Sequence, residues 1–221
     1  LDSRVSYPIA GDNVFNGIDM SEPRDISMHK NTVDATSYFA CASKFDFFGG
    51  YDHGKEAGVV HIGDHHISPG KKMFTWGYNQ LSKTWENALT DTDGQYAELM
   101  ASSYSDNQPN FSWLEPYETK EFSQYWYPIS KIGTPDFANL NAAVKLTDEA
   151  LHVQSTTTFG TCHITASVDG RAFFEHTAAL NPAAPVILPW NRPEGLVHIV
   201  ITAENGETIV NYQEEIHDHL N

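Results

Sequence analysis

Short segments in which apolar and polar residues alternate fill the last third of the chain. From about Ala142 they read "AVKLT", "ALHVQSTT", "TCHITASVDG", "RAFFEHTAAL", "APVILPW", "GLVHIVITAENG" and "ETIVNYQEE". A period of two marks strands with one buried face. The pairs Asp169-Gly170 and Asn205-Gly206 sit where hairpin turns need residues that tolerate positive φ. Regular short strands punctuated in this way predict a small immunoglobulin-like β-sandwich over residues 144–221, with a frayed "HDHLN" tail.

The first 143 residues carry a sparser pattern and form the other expected domain. Pro8, Gly11, Asn13, Asn16, Gly17 and Pro23 break up residues 1 to about 35, which read as loop. Strands are predicted at Thr36–Ser43, Ala57–Asp64 and Lys71–Gly77, the last with Phe74 and Trp76 on one face and Met73 and Thr75 on the other. Ser82–Thr90 is one of the few helix-like stretches, with Ser82 as its N-cap and Trp85 and Leu89 on its buried side. Gly94–Ser105 alternates as a strand, and Leu114–Ile129 reads as a turn leading into a strand that ends in an aromatic run. The fold class is all-β.

Composition changes this picture in one respect. Twenty-nine acids against thirteen Lys and Arg give a formal charge of -16, a field that repels phosphate backbones and anionic membranes. Nucleic acid and membrane are therefore not expected partners, whereas neutral sugars, cations and basic proteins are compatible. No apolar run approaches the roughly 18 residues of a membrane span. Cys41 and Cys162 are far apart in strand-like contexts, read as small buried hydrophobes, and suit a reducing cytoplasm. The chain opens on Leu1 without a leader pattern and reads as a piece of a longer protein.

The candidate chemistry lies in three sets. His61, His65 and His66 form H-x3-H-H, with His53 eight residues earlier; helical spacing would let two of them share a metal. The Val-Val before His61 and the Ile-Gly after it belong to a strand, so no metal and no cofactor is expected. Glu98, between Tyr96 and Met100 on one strand face, is a carboxylate among apolar neighbours and needs a partner or a cleft. Trp76, Trp85, Trp113, Tyr125, Trp126 and Tyr127 offer flat faces of the kind that stack on sugar rings. No dinucleotide fingerprint, P-loop or nucleophile elbow is present.

The run "FFGGYDHGKEAGVVHIGDHHISPGKKMFTWG", then Trp85 and "LTDTDGQYAELMAS", then "FSWLEPYETKEFSQYWYPI", resembles a bacterial domain-of-unknown-function family found ahead of tetratricopeptide repeats. The resemblance covers about residues 1–146. It implies the C-terminal half of a galactose mutarotase-like supersandwich, a fold shared by aldose epimerases and domains of several glycoside hydrolases. It also implies that Glu98, followed by "LEPYE" in place of an "L-x-P-G-E" segment, is a catalytic base or sugar ligand; Tyr117 stands where the pattern has glycine. His53, Lys72, Trp76 and Trp113 are the expected sugar-binding residues. The implied function is carbohydrate binding or processing, with the parent's N-terminal half and C-terminal repeats as partners. The rival expectation is a non-catalytic set of β domains that dock other parts of a repeat protein.

Overall fold

A computed structural model describes residues 4–5, 14–15, 18–19, 28–41, 43–104 and 111–215. In chain order the first elements are β1 (Arg4–Val5), β2 (Val14–Phe15), β3 (Ile18–Asp19), a 3-10 turn (His29–Asn31), β4 (Thr36–Cys41), β5 (Phe47–Asp52) and β6 (Ala57–Ile62). They are followed by β7 (Lys72–Thr75), α1 (Gln80–Leu89), β8 (Ala97–Met100), β9 (Tyr125–Ser130) and β10 (Phe137–Ala138). The last strands are β11 (Ala142–Leu146), β12 (Ala150–Ser155), β13 (Phe159–Val168), β14 (Arg171–Leu180), β15 (Val186–Pro189), β16 (Val197–Ala203) and β17 (Thr208–Gln213). The protein is all-β with one α-helix among the described residues, and every strand pairing is antiparallel. Most of the expected N-terminal loop, and the "HDHLN" tail, lie outside the described residues.

Two units interleave along the chain: Leu1–Lys44 with Asp64–Phe122 and His219–Asn221, and Phe45–Gly63 with Ser123–Asp218. The expected division was a single cut between 143 and 144. It misses that β5, β6 and β9 belong with the C-terminal strands.

The first unit holds a sheet of order β1-β4-β7-β8 and a separate β2–β3 pair. Thr36, Tyr38 and Thr75 are buried on one sheet face, where the Thr32 and Tyr38 hydroxyls lie 2.8 Å apart. Helix α1 begins one turn earlier than the sequence suggests. Asn79 is the N-cap, its side chain accepting from the Ser82 N–H at 2.9 Å, while Ser82 is buried inside the first turn. Asn79 itself is held by Asp34.

In the second unit, sheet β10-β11-β12-β15 packs on sheet β14-β13-β16-β17. This two-sheet order, with the chain crossing between sheets, is an immunoglobulin-like sandwich. Val144, Leu151, Val153, Cys162, Ile164, Ile199, Ile201 and Trp190 are buried in its core. The Trp190 indole N–H donates to the Thr147 carbonyl at 2.9 Å, which satisfies the one polar atom of that ring. The β13–β14 turn carries positive φ at both Asp169 (50°) and Gly170 (74°), the backbone that a two-residue primed turn requires. The third sheet, β5-β6-β9, has its own core of Val60, Ile62, Ile129 and Ile132, which also takes in Ala138 and Ala143. Alternate residues of β11 thus enter two different cores, and a Ser130 N–H to Gln154 Oε1 bond of 2.7 Å ties β9 to β12.

Candidate functional site

Strand register gathers the residues of the sheet face opposite Tyr38 and Thr75. Phe74 lies across from Glu98, Lys72 across from Met100 and Phe39 across from Lys72, so these side chains share one face. Trp76 extends the same row, its ring edge-on to Phe74 at 5.0 Å. Lys72 Nζ lies 5.5 Å above the Phe39 ring, a cation–π contact. Lys72, Trp76 and Glu98, three of the five residues singled out in the sequence, therefore share one surface.

Helix α1 supplies what the sequence reading missed. It sets Trp85 parallel to Trp76, with ring centroids 4.5 Å apart and planes 15° from parallel. The Trp76 indole N–H donates to the Tyr96 hydroxyl at 3.1 Å, and Tyr96 donates to Glu98 Oε1 at 3.2 Å. One aromatic hydroxyl thus links the ring to the carboxylate and orients both. Ser82 Oγ donates to the Trp76 carbonyl and pins the strand end to the helix. The expected burial of the helix's apolar side is overturned: Leu81 (58%), Trp85 (39%) and Leu89 (50%) are exposed, spaced four apart along α1. Glu98 is exposed as well, so its second oxygen faces solvent beside an aromatic pair.

The other two expected residues lie elsewhere. Trp113 is 81% exposed in a coil with Phe111 and Leu114, and among the described residues no ring contact joins it to Trp76. The turn after it is informative. The Glu118 N–H bonds to the Glu115 carbonyl at 2.9 Å, with Pro116 and then Tyr117 at φ 69° in the middle. This is a turn whose third residue favours glycine, and Tyr117 fills that position. His53 lies in the second unit, on the β5–β6 hairpin loop, its ring 5.1 Å from Tyr51. The loop is held by Asp52. Backbone N–H groups of Lys55 and Gly54 donate to its carboxylate and keep its pKa below the ordinary value. There His53 lines an open cleft of about 420 Å³ with Tyr51, Glu56, Lys131, Thr147 and His152. Lys145, which also lines it, is paired with Asp136 at 2.7 Å.

The remaining histidines separate. His61 is buried on the face of β6 opposite Val60 and Ile62, its ring centroid 4.9 and 4.7 Å from those of Phe48 and Trp126. His65 and His66 lie in the first unit beside Asp64. Cys162 is a buried free thiol whose pKa is raised by burial, as a small hydrophobe rather than a nucleophile. No helix among the described residues is long and apolar enough to cross a membrane.

A family described as "Domain of unknown function (DUF5107)" matches residues 12–129, over half of the chain. That span contains the whole Trp76–Tyr96–Glu98 face and α1. No solved structure matches the chain.

Proposed function

The chain belongs to the DUF5107 family, a domain of unknown function, and from that premise we propose that the Trp76–Trp85–Glu98 face binds carbohydrate. The observation that carries the reading is the stacked indole pair joined through the Tyr96 hydroxyl to an exposed carboxylate. A flat ring accepts the C–H face of a sugar, and a fixed carboxylate beside it accepts hydrogen bonds from sugar hydroxyls. The strongly acidic surface suits a neutral ligand. In this reading Lys72 is a further hydroxyl ligand, and His53, in the separate cleft, serves a second contact.

The reading extends to a galactose mutarotase-like parent, cytoplasmic and carrying tetratricopeptide repeats, in which Glu98 works at an anomeric centre. Its support is the order of Glu98 and "LEPYE", with Tyr117 holding the glycine-type backbone at φ 69°. Proton transfer or glycosidic hydrolysis needs a second acid or base opposite Glu98. Within this chain the arrangement supports binding. The test is retention on immobilised oligosaccharides. Wild type is expected to be retarded by one sugar class, and Trp76→Ala and Glu98→Gln are expected to lose that retardation. Equal mobility of all three on every sugar would end the proposal.

One observation favours a protein-docking role instead. Phe111, Trp113, Leu114 and Tyr117 are all more than half exposed within seven residues, and exposed aromatic clusters are common in interface cores. Trp113→Ser would abolish association with the parent's other parts on that reading and leave sugar retention untouched.

A further inference from the structure

We propose that Asp64, His65 and His66 bind one borderline divalent cation, with zinc as the probe. One ligand atom from each of these three residues lies within 4.8 Å of the other two. Two imidazole nitrogens and one carboxylate oxygen form a donor set for zinc or its neighbours in the first transition row rather than for magnesium or calcium. Zinc holds such atoms at about 2.0–2.2 Å, which puts them about 3.4 Å apart in a tetrahedral site. From 4.8 Å the ligand atoms close by at most about 1.4 Å to reach that spacing. Three protein ligands leave a fourth position open to water or a small ligand.

The turn that carries the three residues is already fixed. The Asp64 carbonyl accepts from the Ile67 and Ser68 N–H groups at 3.1 and 2.7 Å. Asp64 Oδ1 accepts the His66 N–H at 2.8 Å, which leaves Oδ2 for an ion. Ser68, buried below, donates its hydroxyl to the Ser102 carbonyl at 2.9 Å. The two imidazole rings stand 3.9 Å apart at 39°. Asp64 and His66 are exposed and His65 is half-buried, so the ion has a path from solvent. The sequence led to the expectation of no metal, after His61, His65 and His66 were weighed as ligands; the structure buries His61 in the other unit and sets Asp64 beside His65 and His66.

The test is calorimetric titration of the chelator-stripped full chain with zinc chloride alone. One zinc per chain is expected, with affinity reduced at least tenfold in His65→Ala, in His66→Ala and in Asp64→Asn. Asparagine keeps the oxygen that accepts the His66 N–H, so this variant separates lost ligation from a lost turn, and circular dichroism checks that all three fold. His163→Ala and His176→Ala, exposed histidines on the sandwich, are expected to bind as wild type. Absence of a stoichiometric ion, or affinity unchanged by the three substitutions, or equal loss in the two controls, would overturn the proposal.

Discussion

Replacing Tyr96 with phenylalanine removes one oxygen and leaves the ring in place. That oxygen accepts from Trp76 Nε1 at 3.1 Å and donates to Glu98 at 3.2 Å. The two losses differ in kind. Glu98 is exposed, and water replaces the tyrosine hydroxyl at its carboxylate with little consequence. The Trp76 N–H makes a partly buried bond, and it loses its partner where water enters less freely. A neutral hydrogen bond of this type is worth about 1 kcal/mol, so Tyr96→Phe is expected to destabilise the first unit by about that amount. Urea unfolding followed by tryptophan fluorescence reads it as a lower midpoint with an unchanged slope. The same variant frees the carboxylate from the indole, and sugar affinity is expected to fall about fivefold, since 1.4 kcal/mol is a factor of ten. A loss above about 3 kcal/mol would mean that Tyr96 is a core residue and not a linker. No change in either stability or sugar affinity would refute the linked arrangement.

Two further predictions rest on single observations. Burial lowers the pKa of His29, whose Nε2 lies 2.6 Å from Thr75 Oγ1, below its usual 6.5. The neutral ring is favoured on folding, so its contribution is complete above about pH 6.5 and is lost as pH falls through the lowered value. Wild type is expected to lose more stability than His29→Gln between pH 7 and pH 5 in urea titrations; parallel losses would place the pH dependence elsewhere. Tyr117→Gly is expected to stabilise the chain by about 0.5–1 kcal/mol, because the left-handed penalty of roughly 1–2 kcal/mol exceeds glycine's entropy cost of roughly 0.5–1. A lower thermal midpoint in this variant would show that the fully exposed tyrosine makes a stabilising contact.

Strands β13 and β16 were legible because buried and more exposed residues alternate along them and each leads into a turn with a chemical signature, Asp169-Gly170 and Asn205-Gly206. Strand β5 was not, since "FFGGYD" looks like a turn. Its glycines answer instead to close backbone approach: a Cβ on Gly49 would lie 2.3 Å from the Val59 carbonyl oxygen. The third β layer was hidden for a related reason. Ala142, Ala143 and Val144 are all fully buried, so β11 shows no alternation and gives no hint that its second face is covered. Helix α1 misled in the opposite direction: an apolar stripe predicts a buried side, and here Leu81, Trp85 and Leu89 face outward. The β7–β8 register, which no local pattern reveals, brings Glu98 to Lys72 and Trp76, whereas the placement of Lys72 and Trp76 on one face followed from strand alternation alone. The Trp76–Trp85 stack did not, because it depends on how the helix returns over the strand end. His53 could not be separated from the others by any local pattern.

The most direct measurement of the carbohydrate reading follows the five indole N–H resonances of the nitrogen-15-labelled chain during titration with oligosaccharides. The Trp76 and Trp85 signals are expected to shift saturably with one sugar class, while Trp190, sealed in the sandwich core, stays fixed. Movement of Trp113 alone, or five stationary signals across the whole panel, would contradict it.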